Sequence, residues 1–139
     1  MSDHLTLAVK NSMEELPLAS EAASRWISEQ KLSPRIDYVA GLSIEELVTN
    51  CIKYAYDDNE VHLIAIELRL ADTAVVLTIT DDGRPFDPLK APTPNLDLPI
   101  EERPLGGLGI HLLRNLCQRV EYARVDGRNR VTLWIQGEA

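Results

Sequence analysis

Glu46 and Asn50 stand four residues apart, so on a helix both side chains leave from the same side. A carboxylate and an amide oxygen at that spacing suit a magnesium–phosphate site. Mg²⁺ takes oxygen ligands and keeps several waters, so one neutral Asn50 oxygen beside phosphate oxygens is enough. Glu46, left unligated, can accept the proton of an attacking hydroxyl. The plainer alternative is the solvated polar edge of an amphipathic helix. Asp81 follows an alternating run and stays in phase with Val75, Leu77 and Ile79, which places its carboxylate at the end of a buried face. A buried carboxylate needs donors, because its desolvation otherwise costs several kcal/mol, on the order of 3–5. The exocyclic amine of adenine is such a donor, and Gly83 lets the chain approach a ring closely because it has no side chain. An ordinary Asp81-Asp82-Gly83 turn is the alternative there.

Gly106-Gly107-Leu108-Gly109 forms the third group, at the entry to a helix. Backbone amides freed by glycine, together with the partial positive charge of a helix N-terminus, suit phosphate oxygens; a flexible hinge reads the same way. Two other nucleotide signatures are excluded. No Gly-Lys-Ser/Thr follows, so this is not a Walker loop. A third glycine and a preceding strand are both missing, which argues against a Rossmann turn.

The elements that must position these residues follow from periodicity. His4 to Lys10 alternates as an opening strand. Ser12 and Glu15 form a capping box for a helix to about Gln30. Ser33-Pro34 opens a second helix, whose stripe of Ala40, Ile44, Leu47, Val48, Cys51 and Ala55 keeps helical spacing as far as Tyr56. Two strands follow, one with Ile64, Ile66, Leu68 and Leu70 on a face and one ending at Asp81, joined at Ala71-Asp72-Thr73. From Asp82 to Gly107 no period holds, and six of the eight prolines fall there; a loop that long in a small domain is usually a functional lid or a disordered segment. A helix over Leu108–Gln118 and two strands, Arg119–Val125 and Arg130–Gln136, meeting at Asp126-Gly127, complete the chain. This order predicts an α+β, two-layer sandwich over residues 1–139 as a single domain, with a mostly antiparallel mixed sheet and helices on one face.

Composition narrows the function classes. The net charge of −8 repels phosphate backbones and no basic patch offsets it, so nucleic acid is not the expected partner; a protein with a basic surface is. No apolar run approaches the roughly 20 residues of a membrane span, and no leader pattern is visible, so a cytoplasmic protein is expected. Cys51 and Cys117 read as buried free thiols without metal or redox spacing. His4, His62 and His111 read as surface or packing residues.

Taken together and in this order, the three groups resemble the boxes of the GHKL (histidine kinase-like) ATPases. Glu46-Leu47-Val48-Thr49-Asn50, with Tyr54-Ala55-Tyr56 after it, is similar to the family's N box. Asp81-Asp82-Gly83-Arg84-Pro85-Phe86-Asp87-Pro88 is similar to the first glycine box, and Gly106 to Leu113 to the second. The small size and the Phe86-Asp87-Pro88 ending resemble the anti-sigma factor serine/threonine kinases, over roughly Leu5 to Trp134. The resemblance implies a Bergerat-type fold with a long ATP lid, and ATP with Mg²⁺ as cofactors. It implies Glu46 as general base, Asn50 as magnesium ligand, Asp81 as acceptor for the adenine amine and Gly83 as the point of close approach to the base. Gly107 and Gly109 would line the phosphates, Thr132 would join the adenine network, and Lys53 and Arg103 would help to neutralise phosphate charge. The implied partners are a small anti-sigma-factor antagonist as phosphorylation target, a sigma factor, and a second copy of the chain in a homodimer. Pro85 stands where the family often has a second glycine, which stiffens that loop. A non-catalytic nucleotide-dependent switch, the ATP-binding half of a two-component histidine kinase system, and a purely structural domain are the rival functions.

Overall fold

The computed structural model describes residues 3–90 and 107–137. Five strands and three α-helices account for most of them: β1 (His4–Lys10), α1 (Leu16–Glu29), α2 (Pro34–Asn50), β2 (Leu63–Ala71), β3 (Ala74–Asp81), α3 (Gly107–Leu116), β4 (Arg119–Val125) and β5 (Arg128–Gln136). The sheet runs β1-β2-β3-β5-β4. Every ladder among the described residues is antiparallel, which corrects the expected mixed sheet. The reason lies in the connections. β4 is reached from β3 through α3 and points the same way, but β5 lies between them and pairs antiparallel with both.

Packing follows the period-two pattern. Ile64, Ile66 and Leu68 of β2, Val75, Leu77 and Ile79 of β3, and Leu133 and Ile135 of β5 turn one face of the sheet inward. Against it lie Ala23 and Ile27 of α1, Val39, Ile44 and Leu47 of α2, and Ile110 and Leu113 of α3, in one apolar cluster. Each such large side chain contributes about 1.5–3 kcal/mol by leaving water. The helices therefore sit on a single face, as expected. No helix among the described residues is long and apolar enough to cross a membrane.

Element boundaries differ from expectation where hydrogen bonds override periodicity. The chain enters the first helix through a 3₁₀ turn, Met13–Glu15, and α1 starts only at Leu16. Pro17 explains this: it lacks the N–H that a continuous α-helix from Met13 would require, yet it fits the first turn of one that starts at Leu16. The Glu15 carboxylate accepts from the Lys10 N–H at 2.7 Å, outside the reciprocal box that Ser12 and Glu15 suggest. Ser33 caps α2 as expected, its hydroxyl oxygen accepting from the Ile36 N–H, with Pro34 in the first turn.

Two other departures shape the site. The second helix does not stay α-helical to Tyr56; after Asn50 it widens into a π turn, Cys51–Ala55, with the Cys51 N–H shared between Leu47 and Val48 carbonyls. Such turns insert a residue and re-aim the side chains that follow. β5 begins at Arg128, two residues before the expected start. Asp126 and Gly127 both have positive φ, 52° and 76°, the two-residue turn whose twist matches antiparallel strands, so Val125 pairs directly with Arg128. At the other end of β4, the Gln118 N–H bonds to the Trp134 carbonyl at 2.8 Å, which stops α3 at Leu116, short of Gln118.

Candidate active site

α2 places Glu46 one turn before Asn50, and the two are unequally exposed: Asn50 is buried and Glu46 half-buried. The Oε1 atom of Glu46 is nevertheless buried and has no hydrogen-bond partner. Its carboxyl group lies against Gly109 in the first turn of α3, so close that a Cβ on Gly109 would overlap all three carboxyl atoms. Burial raises the Glu46 pKa above the usual carboxylate value; the Asn50 amide and the Lys53 cation pull it back, and Glu45 pushes it further up. A half-buried carboxylate with an unengaged oxygen, poised to hold a proton more readily than usual, fits a general base.

The π turn connects this pair to the strand-end carboxylate. Cys51, next to Asn50, directs its thiol at Asp81 Oδ2, 3.2 Å away. Burial, then the Asp81 charge and that hydrogen bond, push the Cys51 thiol well above its ordinary value, so it stays protonated as the donor. Asp81 is 4% exposed, in phase with Val75, Leu77 and Ile79 as the alternation demands. Its Oδ1 accepts from the Gly83 N–H at 2.8 Å and from the Asn129 amide at 2.9 Å. The donors that a buried carboxylate requires are thus supplied mainly from within the chain, while Oδ2 receives only the weak thiol donor. A path of direct neighbours runs Gly109, Glu46, Asn50, Cys51, Asp81, Gly83, which joins all three sequence boxes.

Gly83 meets a constraint that the sequence does not reveal. Its missing side chain faces the π turn, where a Cβ would come 2.7 Å from the Ala55 Cβ and closer still to the Ala55 carbonyl oxygen. The Arg84 N–H bonds that same carbonyl at 2.9 Å, and Arg84 Nε bonds the Tyr54 carbonyl at 2.8 Å. Gly83→Ala is expected to lower unfolding free energy by about 1–3 kcal/mol through overpacking, read from the urea midpoint. An unchanged midpoint would show that the Ala55 contact yields freely.

One expected site residue lies elsewhere. Thr132 pairs with Thr78 and stands on the outer face of the sheet, lining a groove with Thr80 and Arg130. Asp81 is on the opposite, helix-covered face, and directly opposed residues share a face, so Thr132 does not reach the Asp81 network. The partner across from Asp81 is Asn129, 2% exposed, which the sequence reading missed. The Asp126-Gly127 pair was the available signal: a two-residue turn there fixes the β4–β5 register and starts β5 early enough to include Asn129. Lys53 is exposed on the π turn and near enough to act on Glu46. Gly107 opens α3. Arg103 and Gly106, and most of the expected lid between Phe86 and Gly107, lie outside the described residues.

His62 is more than a packing residue. Its ring stacks on Tyr56 at 4.2 Å, Nε2 sits 2.8 Å from Asp58, and Nδ1 sits 3.1 Å from Asp82, the neighbour of Asp81. The hydrogen bond to Asp58 chiefly raises the His62 pKa and lowers that of Asp58. A histidine with a raised folded pKa stabilises fully below its unfolded value, about 6.5, and the contribution is lost as pH climbs through the folded value. Asp58 acts conversely: its contribution holds above the ordinary carboxylate range and fades as pH falls through the lowered value. The urea midpoint of the wild type should therefore exceed that of His62→Gln most clearly near pH 6 and converge on it above the folded His62 pKa. A gap that widens with rising pH would reverse this assignment.

Comparison with known proteins gives the family. Residues 9–135 match the family model described as the histidine kinase-like ATPase domain. The chain is 31% identical over 101 residues to the serine/threonine-protein kinase BtrW of Bordetella bronchiseptica, covering 73% of this chain and 71% of that one. It is 25% identical over 138 residues to an anti-sigma F factor of Caldanaerobacter subterraneus, covering 90% and 95%. Among solved structures, the RsbU and RsbW domains of Rv1364c from Mycobacterium tuberculosis share the fold, with a TM-score of 0.67 at 14% identity; the match covers 97% of this chain and 32% of that one.

Proposed function

From the premise that this chain belongs to the histidine kinase-like ATPase domain family, we propose that it is an ATP-dependent protein serine/threonine kinase. Its target is a small anti-sigma-factor antagonist, and a sigma factor is its second partner. Kinases and an anti-sigma factor among its relatives support this reading. The observation that carries it is the buried, unpartnered Glu46 oxygen pressed against Gly109 in the first turn of α3, one turn from Asn50. The protein acts in the cytoplasm, as a homodimer.

The donor set fits a magnesium–nucleotide ligand. Asn50 offers a neutral oxygen of the kind Mg²⁺ accepts beside phosphate oxygens. Mg²⁺, when bound, offsets the negative charge on the phosphates. Asp81 Oδ2 is an acceptor for the adenine amine, and the N-terminal turn of α3, with Gly107 and Gly109, presents backbone amides to phosphate. Lys53 and Arg103 add positive charge.

In the transfer, the target hydroxyl oxygen bonds to the γ-phosphorus as the bond to the bridging oxygen breaks, and ADP leaves. Glu46 takes the hydroxyl proton. Little covalent chemistry falls to the protein beyond that, so positioning and charge neutralisation dominate.

The decisive experiment combines a magnesium-dependent ATP titration with transfer from labelled ATP to a candidate antagonist. Label that survives acid is expected, since phosphoserine and phosphothreonine withstand acid that destroys phosphohistidine. Absence of ATP binding in magnesium would defeat the reading. Binding without transfer to any antagonist would leave a nucleotide switch.

A further inference from the structure

Asn129 makes more side-chain hydrogen bonds than any neighbour of Asp81. Its amide nitrogen donates to Asp81 Oδ1 at 2.9 Å and to the Arg84 carbonyl at 2.7 Å. Its oxygen accepts from the Phe86 N–H at 3.1 Å, from Arg124 Nη1 at 3.1 Å and from the Tyr122 hydroxyl at 2.5 Å. Both amide donors are used and the oxygen is fully engaged, so the group has one workable orientation; a flip would set its N–H₂ against the Phe86 N–H and the Arg124 guanidinium. The constraint passes to Asp81. With Gly83 N–H and Asn129 on Oδ1, that oxygen is occupied, and the carboxylate can turn only by breaking two buried bonds.

We infer that Asn129 is the positioning residue of base recognition: it locks the Asp81 carboxylate so that Oδ2 is the oxygen offered to a purine amine, and it ties residues 84–86 to the same point. This deepens the kinase reading and rests on it. A site that holds an acceptor rigidly in place rejects a base lacking the matching donor, because the acceptor is then left buried and unpaired. Asn129 therefore sets the preference for a 6-amino over a 6-oxo purine without touching the base itself.

The test is a double-mutant cycle on the full chain, with magnesium ATP and magnesium GTP titrated into wild type, Asn129→Ala, Asp81→Asn and the double variant. Asn129→Ala is expected to weaken ATP about tenfold, as loss of one charge-assisted hydrogen bond would, and to leave the weaker GTP binding unchanged. In the Asp81→Asn background the same change should cost less than about twofold, since residues that act through one another are non-additive. An equal penalty in both backgrounds, or undiminished ATP affinity in folded Asn129→Ala, overturns the proposal.

Should Asn129→Ala unfold, Asn129→Asp serves instead. It keeps an acceptor for Phe86, Arg124 and Tyr122 but sets a second carboxylate against Asp81, and two such groups share one proton. ATP affinity relative to wild type should then improve as pH falls from 8 to 5.5. The other ionisable groups nearby, Cys51, Tyr56, Tyr122 and the His62–Asp82 pair, along with the Arg124 cation, are common to both proteins and enter the ratio equally. A flat ratio overturns the proposal. A wild type that binds no ATP defeats the kinase reading and this one together, whereas a wild type that binds while the Asn129 variants behave identically defeats only this one.

Discussion

Glu46→Gln is expected to bind magnesium ATP within about threefold of wild type while phosphoryl transfer falls about 100- to 10,000-fold, the usual range for loss of a positioned general base. Gln keeps the shape beside Gly109 and cannot take the proton. In the wild type, burial lifts the Glu46 pKa, and transfer needs the ionised carboxylate. The rate should therefore drop as pH falls through a value above the ordinary glutamate range, about 4.3. Folding should respond in the opposite sense. An ionised carboxyl with a buried, unpartnered oxygen costs stability, so the Gln variant should unfold at the same or higher urea concentration at pH 7. Transfer kinetics and a urea titration on one preparation separate the two effects. Undiminished transfer would remove Glu46 from the chemistry.

Asp81→Asn is the other large effect, and here binding fails. The substitution keeps size but removes the charge that strengthens the bonds from Gly83 N–H and Asn129, and it places an amide where two acceptor oxygens stood. ATP affinity is expected to fall about 100-fold or more, because a donor set against the adenine amine leaves both groups unpaired. Stability should fall by about 1–3 kcal/mol through the weakened buried network. Calorimetric titration and the thermal midpoint measure both. Equal ATP affinity in the variant would place the base elsewhere.

The contrast between Asp81 and Thr132 shows where sequence reasoning reaches and where it stops. Asp81 was legible because alternation within one strand settles which face a residue takes, and Val75, Leu77 and Ile79 define that face locally. Thr132 required the relation between two strands. A turn that starts β5 at Arg128 puts Asn129 opposite Asp81 and sends Thr132 to the other side of the sheet. Gly83 was expected to admit a base, whereas the contact in the fold that demands glycine is Ala55 on the π turn, which exists only because the helix widens after Asn50.

Local physics thus determined the order of elements, the single layer of helices, the Glu46–Asn50 spacing and the buried phase of Asp81, since each depends on the geometry of one short segment. Only the folded chain decided that Gly109 lies on Glu46, that Cys51 and Asn129 divide the oxygens of Asp81, and that His62 bridges Asp58 and Asp82. These contacts join segments far apart in the chain. Their geometry depends on strand register, on a π turn and on helix docking, for which no local periodicity carries a signal.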